Sequence, residues 1–421
     1  MFTLLRIRDF GLLWLAGLIS FAGDAALLIA LPLHVYQLTD STLATAVALA
    51  ARFVPRVLFA SVAGVFVDRW DLKRTMVMTD LSRAAVLLPI LVAPDTLAVV
   101  YAVMVFHGAI GLFFAPAEGA LLPKLVGTEH LVAANALNSL NNSIGMLIGP
   151  VAGAFLYSQS GIGGVVIVDS VTYLASAILI RLIVADARPE RDPEAPSGGA
   201  AWARMVADLR AGIGVVQRNL SLRVLFVAYV LAGIAEGVFL TLGLAPLVLD
   251  VLGGTSAQVG WVASAQAIGG FVAAIVVVRI GHRMTKRWLL GGGLIGVGLA
   301  DLSTANAHRV AGTGTAAIGV AMGSMVLAGP PSVAGGAGMQ SIIQEQASDA
   351  YRGRVFGAFS STTSIAMLVG FAAGGLLGDT VGLVPVLSIA ALIRVTGGLL
   401  VLAFLPRHEH VHQPAVAGSE R

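Results

Sequence analysis

The feature that most constrains this chain is a series of long apolar segments separated by short polar breaks. These segments lie at residues 10–38, 42–67, 75–93, 96–117, 133–158, 163–185, 221–249, 256–280, 287–306, 311–333, 353–378 and 382–405. A helix needs about 20 apolar residues to cross the hydrocarbon core of a bilayer, so each segment suffices for one crossing. Only 12% of the residues are charged, against about 25% in soluble domains. The sequence therefore predicts an all-α membrane protein with twelve transmembrane helices.

Basic residues are distributed unevenly among the breaks between these segments. The N-terminus, the breaks after even-numbered segments and the C-terminal tail carry nearly all of them, whereas only Arg309 is basic in the other breaks. Cytoplasmic loops of membrane proteins carry such an excess of positive charge. We therefore expect a multi-pass protein of the cell inner (cytoplasmic) membrane with both termini in the cytoplasm. Because the basic residues serve topology and the net charge is only +3, no nucleic-acid partner is expected.

The longest polar stretch of the chain separates the first six segments from the last six. It is rich in proline, arginine and acidic residues. The predicted organisation is an N-terminal six-helix bundle at 1–185, a cytoplasmic linker at 186–220, a C-terminal six-helix bundle at 221–405 and a cytoplasmic tail at 406–421.

The two halves of the chain also resemble each other in sequence. Residues 142–156, NSIGMLIGPVAGAFL, align without gaps to residues 363–377, TSIAMLVGFAAGGLL. Near the start of each half, Asp24 in the first segment corresponds to Glu236 in the seventh. Duplication of a helical unit is typical of transporters whose site lies between the repeats. We therefore expect two pseudo-symmetric six-helix bundles.

Asp24 and Glu236 are the candidates for proton coupling. Each lies about 14 residues into its segment, which at 1.5 Å per residue is a depth of about 21 Å, near the bilayer midplane. Ionisable groups inside a membrane are costly and are functional candidates by default. Burial favours the neutral form of a carboxyl group, so such a group can take a proton from one side and release it to the other. The alternative for each is a structural hydrogen bond or ion pair.

Two arginines on the second segment bear on the difference between these carboxylates. Arg52 and Arg56 are one helical turn apart on one face and are expected at the depth of Asp24. Arginines beside Asp24 would hold it charged, which favours an ion pair there and leaves Glu236 as the proton carrier. The surplus positive charge could instead face the cavity and attract an anion. His107, in the fourth segment, titrates in the useful range but can equally be a packed, hydrogen-bonded residue.

The other charged residues of the segments are expected to be supports. Asp80 and Arg83 are one turn apart near the cytoplasmic end of the third segment, where we expect them to support the following loop motif. Asp169, Asp301 and Arg394 lie in segments 6, 9 and 12, and we expect structural roles for them.

Two motifs resemble those of a known family. The loop between segments 2 and 3 contains glycine, three residues, an Asp-Arg pair and then a basic pair, at Gly64, Asp68, Arg69, Lys73 and Arg74. Segment 5 contains glycines at four-residue spacing with a proline, at Gly145, Gly149, Pro150 and Gly153.

These motifs resemble the major facilitator superfamily, in its loop pattern and in the helix-5 motif of its antiporters. Residues 8–46, with FFAPAEGALLPKLV at 113–126, are similar to the macrolide-efflux-like branch of its drug:proton antiporters. The resemblance covers residues 1–405. It implies the two-bundle fold and proton-coupled export.

Each motif also has a physical interpretation. Asp68 could accept hydrogen bonds from the N-terminus of segment 11, where the helix dipole favours an anion. With the basic residues of the loop paired to carboxylates such as Glu118, this would form a gating latch; the alternative is that these charges only set topology. The glycine face of segment 5 permits close packing, which we expect against the other half.

No enzyme signature is found in the sequence. The chain has no cysteine, which excludes disulfides, cysteine-bound zinc and iron–sulfur clusters. It has no phosphate-binding loop, no His-Glu-x-x-His zinc motif and no nucleophile elbow. We therefore expect no enzyme, catalytic residue, metal or cofactor.

The predicted function is secondary active transport by alternating access, with proton-coupled efflux of hydrophobic or amphipathic small molecules such as drugs. The expected partners are a small-molecule substrate, protons and the lipid bilayer, with the protein a monomer. Three alternatives remain open: an exporter of an anionic metabolite or siderophore, an importer, uniporter or lipid flippase, and a ligand sensor without proton coupling.

Overall fold

The computed structural model describes residues 2–67, 69–185, 199–280 and 284–406, and within these ranges the chain is helical with no β-strand. The helices of the first half are α1 Arg8–Thr39, α2 Thr42–Val67, α3 Leu72–Leu87, α4 Pro89–Val92, α5 Leu97–Gly111, α6 Phe114–Val126 and α7 Leu131–Arg181. Asp71 caps α3 by accepting a hydrogen bond from the backbone of Arg74 at 2.7 Å. Pro89 starts α4 because proline lacks the N–H that would continue α3.

The second half is built in the same way. Its helices are α8 Gly199–Arg218, α9 Leu220–Leu242, α10 Ser256–Ile280, α11 Lys286–Ala305, α12 Ala307–Ala311, α13 Thr315–Gln346, α14 Asp349–Val381 and α15 Leu383–Phe404. A π-helical turn at Leu247–Val251 follows Pro246. α8 packs against α14, where Gly212 lies on the backbone carbonyl of Arg354.

Helix α7 is two crossings joined without a loop. Gly161 interrupts it with φ +64° and ψ −165°, a left-handed conformation that favours glycine. Residues on both sides of Gly161 contact the same part of α1, because Gly149 lies against Ala25 and Asp169 lies against Gly23. The chain therefore reverses direction at Gly161.

The helix count agrees with twelve crossings. Ten helical stretches of the described chain are long and apolar enough to cross a membrane, and one of them, Thr128–Arg181, contains both arms of α7. α10 adds a further helix of 25 residues.

Hydrogen bonds between the halves gather at one end of the molecule. We call this the distal end; it carries Asp40, Asp95, Gly161, Asp250 and Gly382, and lies opposite the proximal end where α1 begins and α15 ends. There the Thr42 hydroxyl donates to Asp379 at 2.8 Å and to the carbonyl of Gly375 at 2.9 Å. Tyr36 donates to Asp250, and Gln37 donates to Ser256. These contacts join α1 and α2 to the second half.

The glycine motif of α7 packs within the first half. A side chain at Gly145, Gly149 or Gly153 would overlap Phe21, Ala25 or Ala26 of α1. The expectation that this face meets the other half is therefore wrong, because the glycines face α1. The same arm of α7 meets the other half through residues outside the glycine face: the carbonyl of Pro150 and the side chain of Ala154 lie against Gly260 of α10.

Candidate functional site

The first charged cluster surrounds Asp24 in the first half. Arg52 of α2 donates to Asp24 Oδ1 at 2.7 Å, and Arg83 of α3 donates to Asp24 Oδ2 at 3.1 Å. The side chains of Asp24 and Arg52 are 22% and 16% exposed. The expected contact of Arg52 with Asp24 is present. Arg56, one turn further along α2, is exposed and makes no ion pair with the described residues.

Arg83 links Asp24 to a second carboxylate. It donates to Asp80 at 2.5 Å, and Asp80 accepts from Ser176 at 2.6 Å. The guanidinium carbon of Arg83 lies 4.4 Å from the centre of the Tyr173 ring. The expectation that Asp80 and Arg83 support the loop motif is therefore wrong, because both point into the bundle and complete the Asp24 cluster.

His107 lies at the edge of this cluster. Its Nε2 is 2.9 Å from the hydroxyl of Tyr173 and 3.9 Å from Asp24 Oδ1, and the side chain is 3% exposed. Which ring nitrogen carries the hydrogen depends on the tautomer, so His107 Nε2 either donates a hydrogen bond to the Tyr173 hydroxyl or accepts one from it. His107 is therefore a buried, hydrogen-bonded member of the Asp24 cluster.

The second cluster surrounds Glu236 in the other half. Arg394 of α15 donates to Glu236 at 2.6 Å and lies 3.3 Å from Asp301 of α11. Arg394 and Asp301 are buried, whereas the side chain of Glu236 is 46% exposed. Arg394 therefore bridges Glu236 and Asp301, so Asp301 and Arg394, for which we expected structural roles, belong to the cluster around Glu236.

The two clusters share one construction. In each, an arginine bridges a carboxylate of the first helix of the half to one on the third crossing: Arg83 joins Asp24 to Asp80, and Arg394 joins Glu236 to Asp301. Asp80 and Asp301 are related by the same spacing that relates residues 142–156 to 363–377. Extending the repeat alignment to them would have shown that the two aspartates occupy equivalent positions.

The loop motif has a more local arrangement than expected. Lys73 donates to the carbonyl of Ile183 at 3.0 Å, at the end of α7 in the same half. Glu118 accepts from Asn138 at 3.2 Å, and no basic side chain of the described residues pairs with it. Gly64 lies in α2 with open space beside it.

The remaining members of the motif are placed as follows. Arg69 lies in the turn that follows α2, and Arg74 lies in the first turn of α3. Both line a cavity of about 600 Å³ at the proximal end, together with Trp70, Met78 and Phe113. Asp68 lies outside the described residues. The predicted latch between Asp68 and the start of segment 11 therefore stays a prediction.

The fold and the clusters together define a class of protein. A chain that crosses the membrane in two similar helical halves, with ionisable groups at matching midplane positions, has the construction of a transporter. A sequence profile of the Major Facilitator Superfamily matches residues 13–242 and 225–420. The chain belongs to this family and is a multi-pass membrane protein. The superfamily predicted from the motifs is confirmed.

Individual relatives agree with this assignment. The chain is 24% identical over 393 residues to an "Uncharacterized MFS-type transporter YfiS" of Bacillus subtilis strain 168, across 91% of this chain and 90% of that protein. It also resembles a bacterial homologue of the iron transporter ferroportin in an inward-facing state, with a TM-score of 0.68 and 17% identity, over 95% of this chain and 99% of that one. A peptide transporter, POT, matches with a TM-score of 0.74 and 14% identity, over 96% and 94%. These structural likenesses show the fold.

Proposed function

We propose that this transporter exports hydrophobic or amphipathic small molecules in exchange for protons, by alternating access, with Glu236 as the proton carrier. The observation that carries the proposal is the environment of Glu236, which is half-exposed yet hydrogen-bonded to the buried Arg394 at 2.6 Å. A half-exposed carboxylate can exchange protons with water. A buried guanidinium stays charged, so the strength of its ion pair depends on whether the carboxylate is ionised.

Protonation of Glu236 changes the charge balance of its cluster. The carboxylate gains the proton and becomes neutral, so its attraction to Arg394 weakens. Arg394 then keeps Asp301 as its charged partner. Because these residues lie on α9, α15 and α11, one proton alters the contacts among three helices of the second half. This gives proton binding a way to bias the arrangement of the half.

The direction of transport follows from the proposed orientation. The excess of lysine and arginine near the termini and in the breaks after even-numbered segments favours the cytoplasm for the proximal end. In that orientation an inward proton gradient drives export. The inner membrane of a cell is the membrane in which such a gradient is available to the transporter.

Proton-coupled export is tested in proteoliposomes with an imposed pH gradient. We expect gradient-driven transport of the cationic dye ethidium by the unaltered chain, and at least tenfold less by Glu236→Gln, with binding of the dye retained. The glutamine keeps the shape of the protonated carboxyl group but cannot exchange a proton.

Glu345→Gln is the matched control. Glu345 is also paired to a basic residue, Lys286, but it lies on the exposed proximal part of α13. Its replacement is expected to leave the rate unchanged. Full-rate transport by Glu236→Gln would exclude Glu236 as the proton carrier.

Arg56 favours a second candidate function, the export of an anionic compound. It lies one turn from Arg52 on the face that Arg52 directs toward Asp24, and it is exposed. An anion moved by the protein would pair with this free guanidinium. A panel of ethidium, a neutral dye and carboxyfluorescein distinguishes the two. Transport of carboxyfluorescein alone, lost in Arg56→Gln, would select the second candidate.

A further inference from the structure

Asp169, on the second arm of α7, is a buried carboxyl group that the proposed mechanism leaves without a role. Asp169 is only 1% exposed. Oδ1 accepts a hydrogen bond from the hydroxyl of Thr172 at 3.2 Å, whereas Oδ2 has no partner in the described part of the chain. An ionised carboxylate with an unpartnered oxygen is very costly to bury, and a neutral carboxyl group is far less so.

The cations around Asp169 are already engaged by other carboxylates. Arg52 donates to Asp24, and Arg83 donates to both Asp24 and Asp80. His107 is engaged with the hydroxyl of Tyr173. The ionisable groups that interact electrostatically with Asp169 are Asp24, Arg52, Arg83 and Tyr173, from α1, α2, α3 and α7. Arg83 and Tyr173 in turn contact Asp80 and His107.

The charge count of this cluster leaves one carboxyl group over. Asp24, Asp80 and Asp169 are three acids, and Arg52 and Arg83 are two permanent cations. We infer that Asp169 holds a proton in this structure and is the proton-binding site of the first half. The unpartnered oxygen identifies Asp169, rather than Asp24 or Asp80, as the acid that carries it.

The second half has the same surplus. Glu236 and Asp301 are two acids that share the single cation Arg394. Each cluster therefore holds one more carboxyl group than it has arginines. The transporter accordingly has two proton sites, one in each half, although the residues that bear them lie on different helices.

The role of Asp169 in transport rests on the proposed proton coupling. Asp169 packs directly against Gly23, the neighbour of Asp24, so no side chain separates the two residues there. When the Asp24–Arg52 pair opens, Arg52 can pair with Asp169. The O–H bond of Asp169 then breaks and the proton passes to the carboxylate of Asp24. The net charge of the cluster is unchanged, and the proton has moved from α7 to α1.

The protonated carboxyl group is detected by infrared spectroscopy of the full chain in lipid at neutral pH. Protein labelled with ¹³C at the aspartate carboxyls is expected to show a shifted carboxylic-acid C=O band. Asp169→Asn is expected to lower this aspartate band by at least half. The matched control Asp95→Asn, which removes an exposed carboxylate at the distal end, is expected to leave the band unchanged.

A second variant tests the charge count without altering Asp169. Asp24→Asn removes the carboxylate that engages both arginines, so two acids then match two cations. Asp169 is expected to ionise, and the aspartate band is expected to fall as it does in Asp169→Asn. This outcome does not depend on whether Asp169→Asn folds.

The inference is overturned if labelled wild-type protein shows no aspartate carboxylic-acid band, or if the band keeps its full intensity in Asp24→Asn. These spectra are recorded without substrate or gradient. Loss of proton-driven transport in Glu236→Gln, together with no aspartate carboxylic-acid band in the wild-type protein, would therefore support proton coupling but exclude Asp169 as a proton site. A carboxylic-acid band of Asp169 without any gradient-driven transport would support Asp169 as a protonated site but contradict the proposed proton-coupled transport.

Discussion

Arg83 and Arg394 perform the same task from different helices. Each bridges two carboxylates, but Arg83 comes from α3 and Arg394 comes from α15. Tyr173 occupies the position of the first half that corresponds to Arg394 in the repeat, and its ring packs on the Arg83 guanidinium. Removing one partner of a buried ion pair typically costs about 3–5 kcal/mol. Both halves thus contain an arginine that bridges two carboxylates, but the arginine comes from α3 in the first half and from α15 in the second.

The pair formed by Asp24 and Arg52 can be tested by exchanging its charges. Asp24→Arg and Arg52→Asp alone are each expected to reduce transport at least tenfold, because each leaves like charges together. The double exchange is expected to recover part of the rate in the proteoliposome assay. Asp24→Arg with Arg56→Asp is the control and is expected to recover none, because Arg56 does not contact Asp24. Equal recovery in both pairings would contradict the geometry.

Part of this cluster could be predicted from the sequence. Asp24 and Arg52 lie at similar depths on adjacent antiparallel segments, so depth alone indicates their contact. Arg83 and Arg394 could not be placed in the same way. Their contacts depend on the rotation of α3 and α15 about their axes and on the reach of a long side chain, neither of which depth determines.

Small residues set the distance between helices at the scale of the element. Gly149 and Gly153 of α7 lie against α1, and in the second half Gly370 and Gly374 of α14 lie against α9. The repeat found in the sequence thus corresponds to one packing arrangement made twice. The four-residue spacing predicts a face without side chains. It does not identify the helix that meets this face, because several helices surround α7.

Gly153→Ala tests this packing. The added methyl carbon would lie about 2.6 Å from the Cα of Ala26, so the helices must separate. We expect a loss of about 1–3 kcal/mol, the usual effect of overpacking, seen as a lower melting temperature in detergent. Gly357→Ala, at a helical glycine with open space beside it, is the control. It is expected to be neutral or to gain up to about 1 kcal/mol. Equal melting temperatures would refute the close approach of α7 and α1.

At the scale of the whole molecule, the two halves are closed against each other at the distal end. Asp379 accepts hydrogen bonds from the hydroxyls of Ser41 and Thr42 and from the backbone N–H of Thr42, across the α2–α14 contact. The number of crossings and the two similar halves could be predicted from hydropathy and repeats. This closure could not, because it depends on how the halves sit against each other in one conformation.

Opening of the distal end can be followed with a single cysteine. The natural chain has none, so Ala46→Cys creates one reactive site, at a position that is 3% exposed and lies against Gly375. Adding Asp379→Ala removes hydrogen bonds to a charged group, typically about 1.5–3 kcal/mol, which corresponds to tenfold or more in population. We expect maleimide labelling of the purified protein to accelerate by that factor.

Asp95→Ala is the comparison for this experiment, since Asp95 is an exposed aspartate at the same end. It is expected to leave the labelling rate unchanged. A rate unaffected by Asp379→Ala would mean that these hydrogen bonds do not hold the halves together.

The turn at Gly161 has a mechanical consequence. One arm of α7 touches the other half through Pro150, and the other arm carries Asp169 and Tyr173 into the charged cluster. Because no loop separates the two arms, a displacement of one arm is transmitted to the other across the turn at Gly161. We therefore expect rocking of the second half against Pro150 to shift Asp169 relative to Asp24. Inserting a flexible glycine-serine loop at Gly161 should leave both arms folded but uncouple the displacement of one arm from that of the other.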